Sequence, residues 1–312
     1  MPLRAGEYGL THAEARNVKK WRRVGYGLYV PVQVDGSVPE QRIIEQAPRV
    51  EDHGAITGWA SLRWQGAHFF DGRADGGRTL LPVPLCVRLN TRVRSVPGVT
   101  VTRERCRPEQ RDWIDGLWCT IPERAVFDEL RRTRSLVQGV IAVDMAAAAG
   151  LVTVAGMSDF LYWCNAMVGV PHARNVVAHA SDDSRSPPET RMRLVWVIDA
   201  GLPPPLCNQP IFSLDGSFLG MPDLFDPEAG VVGEYDGAHH LEDDQRRADR
   251  EREEVVRDHG LEYFAVVKGE FANTARVVRR MHAARRRARW LPPDQRAWTL
   301  EQPSWWQTRS AG

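Results

Sequence analysis

Three features of the sequence predict an α/β (α+β) protein with more than one domain. From residue 186 to about 285 the order is helix, three strands, helix, strand, helix, and elements mixed in this way pack as a sheet flanked by helices. The preceding 185 residues carry shorter helices and strands of their own, so they form a separate mixed region. Between the two lies Ser181-Asp-Asp-Ser-Arg-Ser-Pro-Pro188, polar and proline-containing, of the kind that joins domains. A chain of 312 residues is long enough for two or three domains. The expected divisions are 1–50, 51–185, 186–290 and a flexible tail over 291–312, rich in Pro, Gln, Trp and Ser, with Trp298, Trp305 and Trp306 able to dock on the rest of the chain.

Thr11 with Glu14 has capping-box spacing, which predicts a basic helix running to about Arg23 and broken by Gly25 and Gly27. Gly27-Leu-Tyr-Val30 reads as a strand stopped by Pro31, so the first thirty residues form helix, tight turn and wing. Thr57 to Gly66 predicts a second short helix. Pro82–Leu89 and Val99–Arg103 read as strands around the turn Pro97-Gly98. Thr120 with Glu123 is again spaced as a capping box, opening a helix through Leu130; Leu136–Ala149 and Thr153–Met167 follow as helices. In the C-terminal region Ser186 caps a helix with Pro187 at its first position, and Gly201 ends it. Asn208–Phe212, Gly220–Phe225 and Val231–Asp236 are strands, the first two joined by the hairpin turn Asp215-Gly216. Asp243–His259 is a charged helix, Tyr263–Val267 a buried strand and Phe271–Arg289 a basic amphipathic helix.

Composition narrows the function classes. Hydrophobic residues at 43% and charged residues at 26% suit a soluble globular chain, and no apolar stretch is long enough to span a membrane. The first residues lack a secretory signal's apolar segment, so a cytoplasmic location is expected. Five widely spaced cysteines indicate reduced thiols rather than a disulfide framework or a zinc knuckle. The net charge of +1 conceals an arginine bias, since Lys19, Lys20 and Lys268 are the only lysines. Arginine's planar fork of donors matches phosphate, although the nucleotide composition of the gene would produce the same bias.

The chemistry-bearing residues gather around one expected hairpin. Asp223 on one strand faces Glu234 on the next, and Asp236, two residues on, shares a face with Glu234. Such a patch of oxygen donors suits Mg²⁺ or Mn²⁺, which hold phosphates and activate water in phosphodiester cleavage. His239 and His240 follow at once, and His240 is a candidate proton acceptor. Read separately, each carboxylate is an ordinary turn or surface group; their joint occurrence beside the apolar run Val231-Val232-Gly233 singles them out.

The stretch GMPDLFDPEAGVVGEYDGAHH, from Gly220 to His240, resembles the central motif of the Vsr-like (very-short-patch-repair endonuclease-like) branch of the PD-(D/E)XK nucleases. Pro222-Asp223 matches the PD, and Glu234-Tyr235-Asp236 matches the ExK position, with aspartate where many members have lysine. The resemblance implies a restriction-endonuclease-like mixed sheet, Asp223 and Glu234 as metal-binding carboxylates, and catalytic roles for Glu189, Asp236 and His240. Ser186-Pro-Pro-Glu189 resembles the family's first-helix signature, while the same spacing by itself is a capping box. Asp249 and Arg250 resemble another family pair.

Arg276, Arg279, Arg280 and the arginines up to Arg289 lie on one helix and create a local positive field; with Arg250 and Lys268 they are the candidate nucleic-acid contacts. Gly9 to Pro31 resembles the winged-helix region of AbiEi-type antitoxins, and Thr57–Gly66 with Thr120–Asp128 resembles the middle domain of proteins that join such a region to a Vsr-like domain. The expected function is a metal-dependent DNA endonuclease or nickase. The alternative is a non-catalytic, antitoxin-like DNA-binding regulator, with DNA as partner in both cases and a toxin or a second copy of the chain as protein partner.

Overall fold

The computed structural model describes all residues except Tyr26, 51–53, Arg105, 238–252 and 307–312. The chain is a mixed α/β protein divided into two compact units, Met1–Ala180 and Ser181–Gly312. No helix among the described residues is long and apolar enough to cross a membrane.

The first unit opens with β1 (Leu3–Arg4), α1 (His12–Ala15), β2 (Trp21–Gly25) and β3 (Leu28–Pro31), the strands forming one antiparallel sheet in the order β1-β3-β2. The Thr11–Glu14 capping box forms, yet the expected helix to Arg23 is a single turn. Asn17 ends it: its side chain accepts the Lys19 N–H at 3.1 Å and its carbonyl accepts the Lys20 and Trp21 N–H groups, a local alternative to helical bonding. Trp21 to Arg23 then pair with β3 rather than continuing a basic helix.

After α2 (Pro39–Gln46) comes a five-stranded sheet in the order β8-β7-β4-β10-β9. Its strands are β4 (Ala55–Ile56), β7 (Val83–Cys86), β8 (Val99–Thr102), β9 (Arg111–Ile114) and β10 (Leu117–Thr120); β5 (Arg73–Ala74) and β6 (Thr79–Leu80) form a separate small hairpin. Helices α3 (Gly58–Trp64), α4 (Pro122–Arg132), α5 (Leu136–Ala148), α6 (Val154–Trp163) and α7 (Val170–Val177) complete the unit. Thr120 does not cap α4: the helix starts at Pro122 with Ile121 in the N-cap position, and the Thr120 hydroxyl donates to Thr57 Oγ1 at 3.1 Å.

In the second unit α8 (Pro187–Leu194) begins as expected, with Ser186 Oγ accepting the Glu189 N–H at 3.4 Å, and continues into a widened turn over Val195–Asp199. Two three-stranded sheets follow. One orders β11 (Ile211–Ser213), β12 (Phe218–Gly220) and β16 (Trp298–Thr299) as β12-β11-β16; the other orders β13 (Leu224–Asp226), β14 (Val231–Asp236) and β15 (Glu262–Val267) as β13-β14-β15. The expected strand over 220–225 is thus split. Pro222 offers no N–H to a ladder, and its carbonyl accepts the Asn208 N–H at 3.0 Å, which bends the chain just before Asp223. Helix α9 (Thr274–Arg287) packs on β15.

Alternation along β14 separates two cores. Val231 joins Met192, Trp196, Leu224, Phe264 and Met281 on one face, while Val232 joins Ile211, Phe225, Leu261 and Trp298 on the other. Each fully buried large side chain of this kind stabilises the fold by about 1.5–3 kcal/mol. Gly233 is required here: a Cβ would run into the ring of Phe264, which lies across β14 and stacks on Trp196. The docking left open for the tail tryptophans is seen over the described part. Trp298 is buried edge-on against Phe225 at 5.1 Å, β16 pairs with β11, and Trp306 stacks on Phe218 at 5.0 Å, so apolar burial holds this segment down.

Candidate metal centre

The β13–β14 ladder pairs Asp226 with Val231, Phe225 with Val232 and Leu224 with Gly233, so Asp223 and Glu234 are the next residues out on the two strands. Asp223 Oδ2 accepts the Tyr235 N–H at 2.7 Å, which fixes its carboxyl against the backbone immediately after Glu234. Burial raises the Asp223 pKa from 3.8 to about 6; the Tyr235 hydrogen bond opposes the rise and the nearby negative charge of Glu189 adds to it.

Glu189 reaches this place from the first turn of α8. Its Oε2 accepts the Arg185 N–H at 2.9 Å and an Asn208 Nδ2 hydrogen at 2.8 Å. The reciprocal half of a capping box is therefore displaced by one residue, from Ser186 to Arg185, and the carboxylate turns toward Asn208. Asn208 donates from the same nitrogen to the Asp183 carbonyl at 2.8 Å, and its backbone is left-handed, with φ of 51°. Asparagine tolerates that conformation better than most residues. Sequence reading missed Asn208; its one signal is an asparagine in a proline-rich connection, which does not reveal a partner 19 residues away.

Among the described residues, neither Asp223 nor Glu189 forms an ion pair, and neither Asp223 Oδ1 nor Glu189 Oε1 receives a hydrogen bond. Only three residues further along the chain, Asp226 shows the opposite arrangement, closed by Arg285 at 2.6 Å. The site therefore carries two like charges held by neutral amides, which is the electrostatic condition for taking up a cation.

The remaining expected residues fall as follows. Glu234 borders a recess of about 10 Å³ among Ile211, Leu219, Val232, Val256 and Leu261, and Asp236 ends β14. Burial and the Asp236 charge raise the Tyr235 pKa, against Arg191. His239, His240, Asp249 and Arg250 lie outside the described residues. Among the described residues no three His, Cys, Asp or Glu side chains gather closely enough to hold a metal ion. The expected set of Glu189, Asp223, Glu234 and Asp236 is thus not a closed cage: what comes together is the Asp223–Glu189 pair. Lys268 is exposed just beyond β15, its N–H bonded to the Asp236 carbonyl at 3.0 Å.

The basic helix is heterogeneous. Arg280 forks onto Glu270, with both nitrogen–oxygen distances at 2.6 Å, and Arg287 pairs with Glu262. Arg276 lies 3.9 Å from Glu270 and is exposed, whereas exposed Arg279 and Arg286 make no ion pair among the described residues. No protein-family model, curated protein or solved structure matches the chain.

Proposed function

We propose that the unit Ser181–Gly312 is a divalent-cation-dependent DNA endonuclease or nickase. The observation that carries this reading is the Asp223–Glu189 pair: two half-buried carboxylates, hydrogen-bonded only by uncharged amides, each keeping an oxygen that accepts no hydrogen bond from a described residue. Hard oxygen donors of this number fit Mg²⁺ or Mn²⁺, which are commonly held by one or two carboxylates with water and phosphate completing the shell. A bound ion would supply positive charge to the scissile phosphate and lower the pKa of the attacking water.

The chain's own residues divide the remaining work. The Tyr235 N–H and Asn208 Nδ2 hold the two carboxylates in place, and burial keeps Asp223 in a low-dielectric setting where its charge acts strongly. Arg276, Arg279 and Arg286 offer exposed guanidinium groups to a DNA backbone, and Lys268 stands exposed at the end of the strand beside Asp236. Glu234, Asp236 and His240 keep their proposed roles in completing the site and accepting the proton of the attacking water.

Supercoiled plasmid incubated with the purified chain and Mg²⁺ or Mn²⁺ tests the reading. Wild type should nick or linearise it, whereas Asp223→Asn and Glu189→Gln should lower the rate at least about a hundredfold, the scale expected when charge stabilisation is removed from a transition state. If wild type and Asp223→Asn are equally inert on single-stranded, double-stranded and mismatched DNA, the enzyme reading fails. Salt-dependent DNA binding that survives Asp223→Asn without metal would support the antitoxin-like regulator instead.

A further inference from the structure

The first unit contains a cleft of about 870 Å³ that the proposed nuclease chemistry does not use. It lies between the loop carrying β5 and β6 and the facing parts of α4 and α5, with Trp59 of α3 in its wall. Buried Arg42 braces that wall. It donates through Nη1 to the Gly72 carbonyl at 3.0 Å and through Nη2 to the Leu81 carbonyl, which pins both ends of the hairpin, and its guanidinium lies over the Trp59 ring, 5.0 Å from the centroid. Gly72 has a left-handed φ of 68°, and a Cβ there would come within 2.5 Å of the same ring. Leu81, Ile141 and Ala142 supply apolar surface, and Phe69, 45% exposed, packs edge-on against Phe70 at 5.1 Å. Arg73 and Arg132 are exposed beside them; Arg73 forms no ion pair among the described residues, and Arg132 approaches only Glu129, at 3.4 Å. Asp71 and Glu129 each use one oxygen to accept a backbone N–H, from Arg73 at 2.9 Å and Trp59 at 2.7 Å, and the other oxygen accepts no hydrogen bond from a described residue.

We propose that this cleft binds a free nucleotide, with its phosphate on Arg73 and Arg132, its base against Phe69, and the N–H groups of that base on Glu129. Size, charge and shape together select this class of ligand. A cleft of this volume matches those that enclose ligands as large as a nucleotide, whereas an amino acid or an inorganic anion would leave most of it empty. Guanidinium forks match phosphate oxygens, and Arg42 and Arg73 meet no carboxylate among the described residues, so the wall carries positive charge that its own anions do not answer. A nucleobase joins a flat face that stacks on an aromatic ring to an edge of N–H donors, which is what Phe69 and the open oxygen of Glu129 accept. Burial holds the Glu129 pKa above the ordinary carboxylate value, against Arg132 and the Trp59 hydrogen bond, and donors from a base would offset that desolvation. A purely apolar ligand would instead strand the arginines and carboxylates. The site is built by the first unit alone and stands independently of the nuclease reading.

Calorimetric titration of the full chain in EDTA with AMP, GMP, CMP, UMP and the corresponding triphosphates tests the proposal. At least one should bind in the micromolar range, and its nucleoside and inorganic phosphate should each bind at least about tenfold more weakly, because each keeps only part of the contacts. Arg73→Ala and Phe69→Ala, both at exposed positions, should weaken the preferred nucleotide by about tenfold or more with the melting temperature unchanged. Glu129→Gln should alter the preference among bases. The proposal is overturned if no nucleotide binds wild type below the millimolar range, if nucleoside and nucleotide bind equally, or if Arg73→Ala and Phe69→Ala keep the wild-type affinity. Tighter binding of a 5′-phosphorylated oligonucleotide than of any free nucleotide, lost in the same two variants, would make the cleft a nucleic-acid site and overturn the free ligand. The wild-type titrations decide between nucleotide and nucleoside even where a variant fails to fold.

Discussion

Arg124 in the first unit and Asp223 in the second are both ionisable groups withdrawn from water, and their surroundings are opposite. Arg124 is fully buried, and its charge is answered by Asp128, with Nε at 3.1 Å, and by Glu104 at 3.4 Å. Asp128 in turn accepts the Thr57 hydroxyl at 2.7 Å, and Arg131 bonds to both carboxylates. Two cations thus meet two anions, and every carboxylate oxygen accepts at least one hydrogen bond, although Arg131 Nε is buried without a partner. Around Asp223 the charge that adds to the effect of burial is Glu189, of the same sign, and the hydrogen-bond donors to the two carboxylates are neutral amides. A closed network secures a fold, whereas an uncompensated one leaves charge to be satisfied from outside.

The largest test of this contrast is to open the closed network. Arg124→Met removes one cation and leaves Asp128 and Glu104 short of a partner in a buried setting. Urea denaturation should show the unit Met1–Ala180 destabilised by about 3–5 kcal/mol, the range for breaking a buried ion pair from one side. A loss below about 1 kcal/mol would mean that the network is hydrated and resembles a surface pair.

The open pair should respond with the opposite sign. Folding raises the Asp223 pKa from 3.8 to about 6, so the folded state favours the neutral carboxyl. The stabilisation from this group is complete below about pH 4 and is lost as pH rises through about 6. Asp223→Asn keeps an oxygen to accept the Tyr235 N–H and removes the charge. At pH 8 it should therefore be more stable than wild type, by up to about 3 kcal/mol for a shift of roughly two units, and the gain should vanish at pH 4. Thermal melts at the two pH values measure it; a destabilised variant at pH 8 would contradict the uncompensated reading.

Metal binding gives a smaller and linked effect. Mg²⁺ should raise the melting temperature of wild type at pH 8, by an amount equivalent to about 2.7 kcal/mol at one hundred times its Kd. The shift should shrink below pH 6 as Asp223 takes up a proton, and it should be absent in Asp223→Asn. An unchanged Mg²⁺ response in the variant would place the ion elsewhere.

How much of this was legible in the sequence depended on the range of the contacts. The Thr11–Glu14 cap, the Ser186 cap and the Leu136–Ala148 helix rest on neighbours within one turn, and local pattern found them. The helix expected to Arg23 failed because Trp21–Gly25 found a strand partner in Leu28–Pro31, and the cap expected at Thr120 failed because α4 starts one residue later than the spacing implied, at Pro122 after Ile121. That Trp298 and Trp306 could dock was legible from their size, but not where: Phe225 and Phe218 supply the surfaces. In the site, Asp223 and Glu189 stood out by residue type and motif position. The preference of Asp223 for Glu189's neighbourhood, and the part played by Asn208, depend on the bend at Pro222 and on contacts between elements, which no periodicity encodes.

The smallest expected effect separates open from closed charge within α9 itself. Arg279 and Arg286 lie seven residues apart on an exposed face, while Arg280, beside Arg279 in sequence, is tied to Glu270, whose pKa that hydrogen bond lowers. If the exposed pair meets DNA phosphates, Arg279→Ala and Arg286→Ala should each reduce the slope of log affinity against log salt by about 1, without changing thermal stability. Arg280→Ala should do the reverse, leaving the slope intact while freeing Glu270 and lowering stability. Equal slopes in all three variants would remove α9 from the DNA-binding surface, because a phosphate contact that releases no counterion is not a contact.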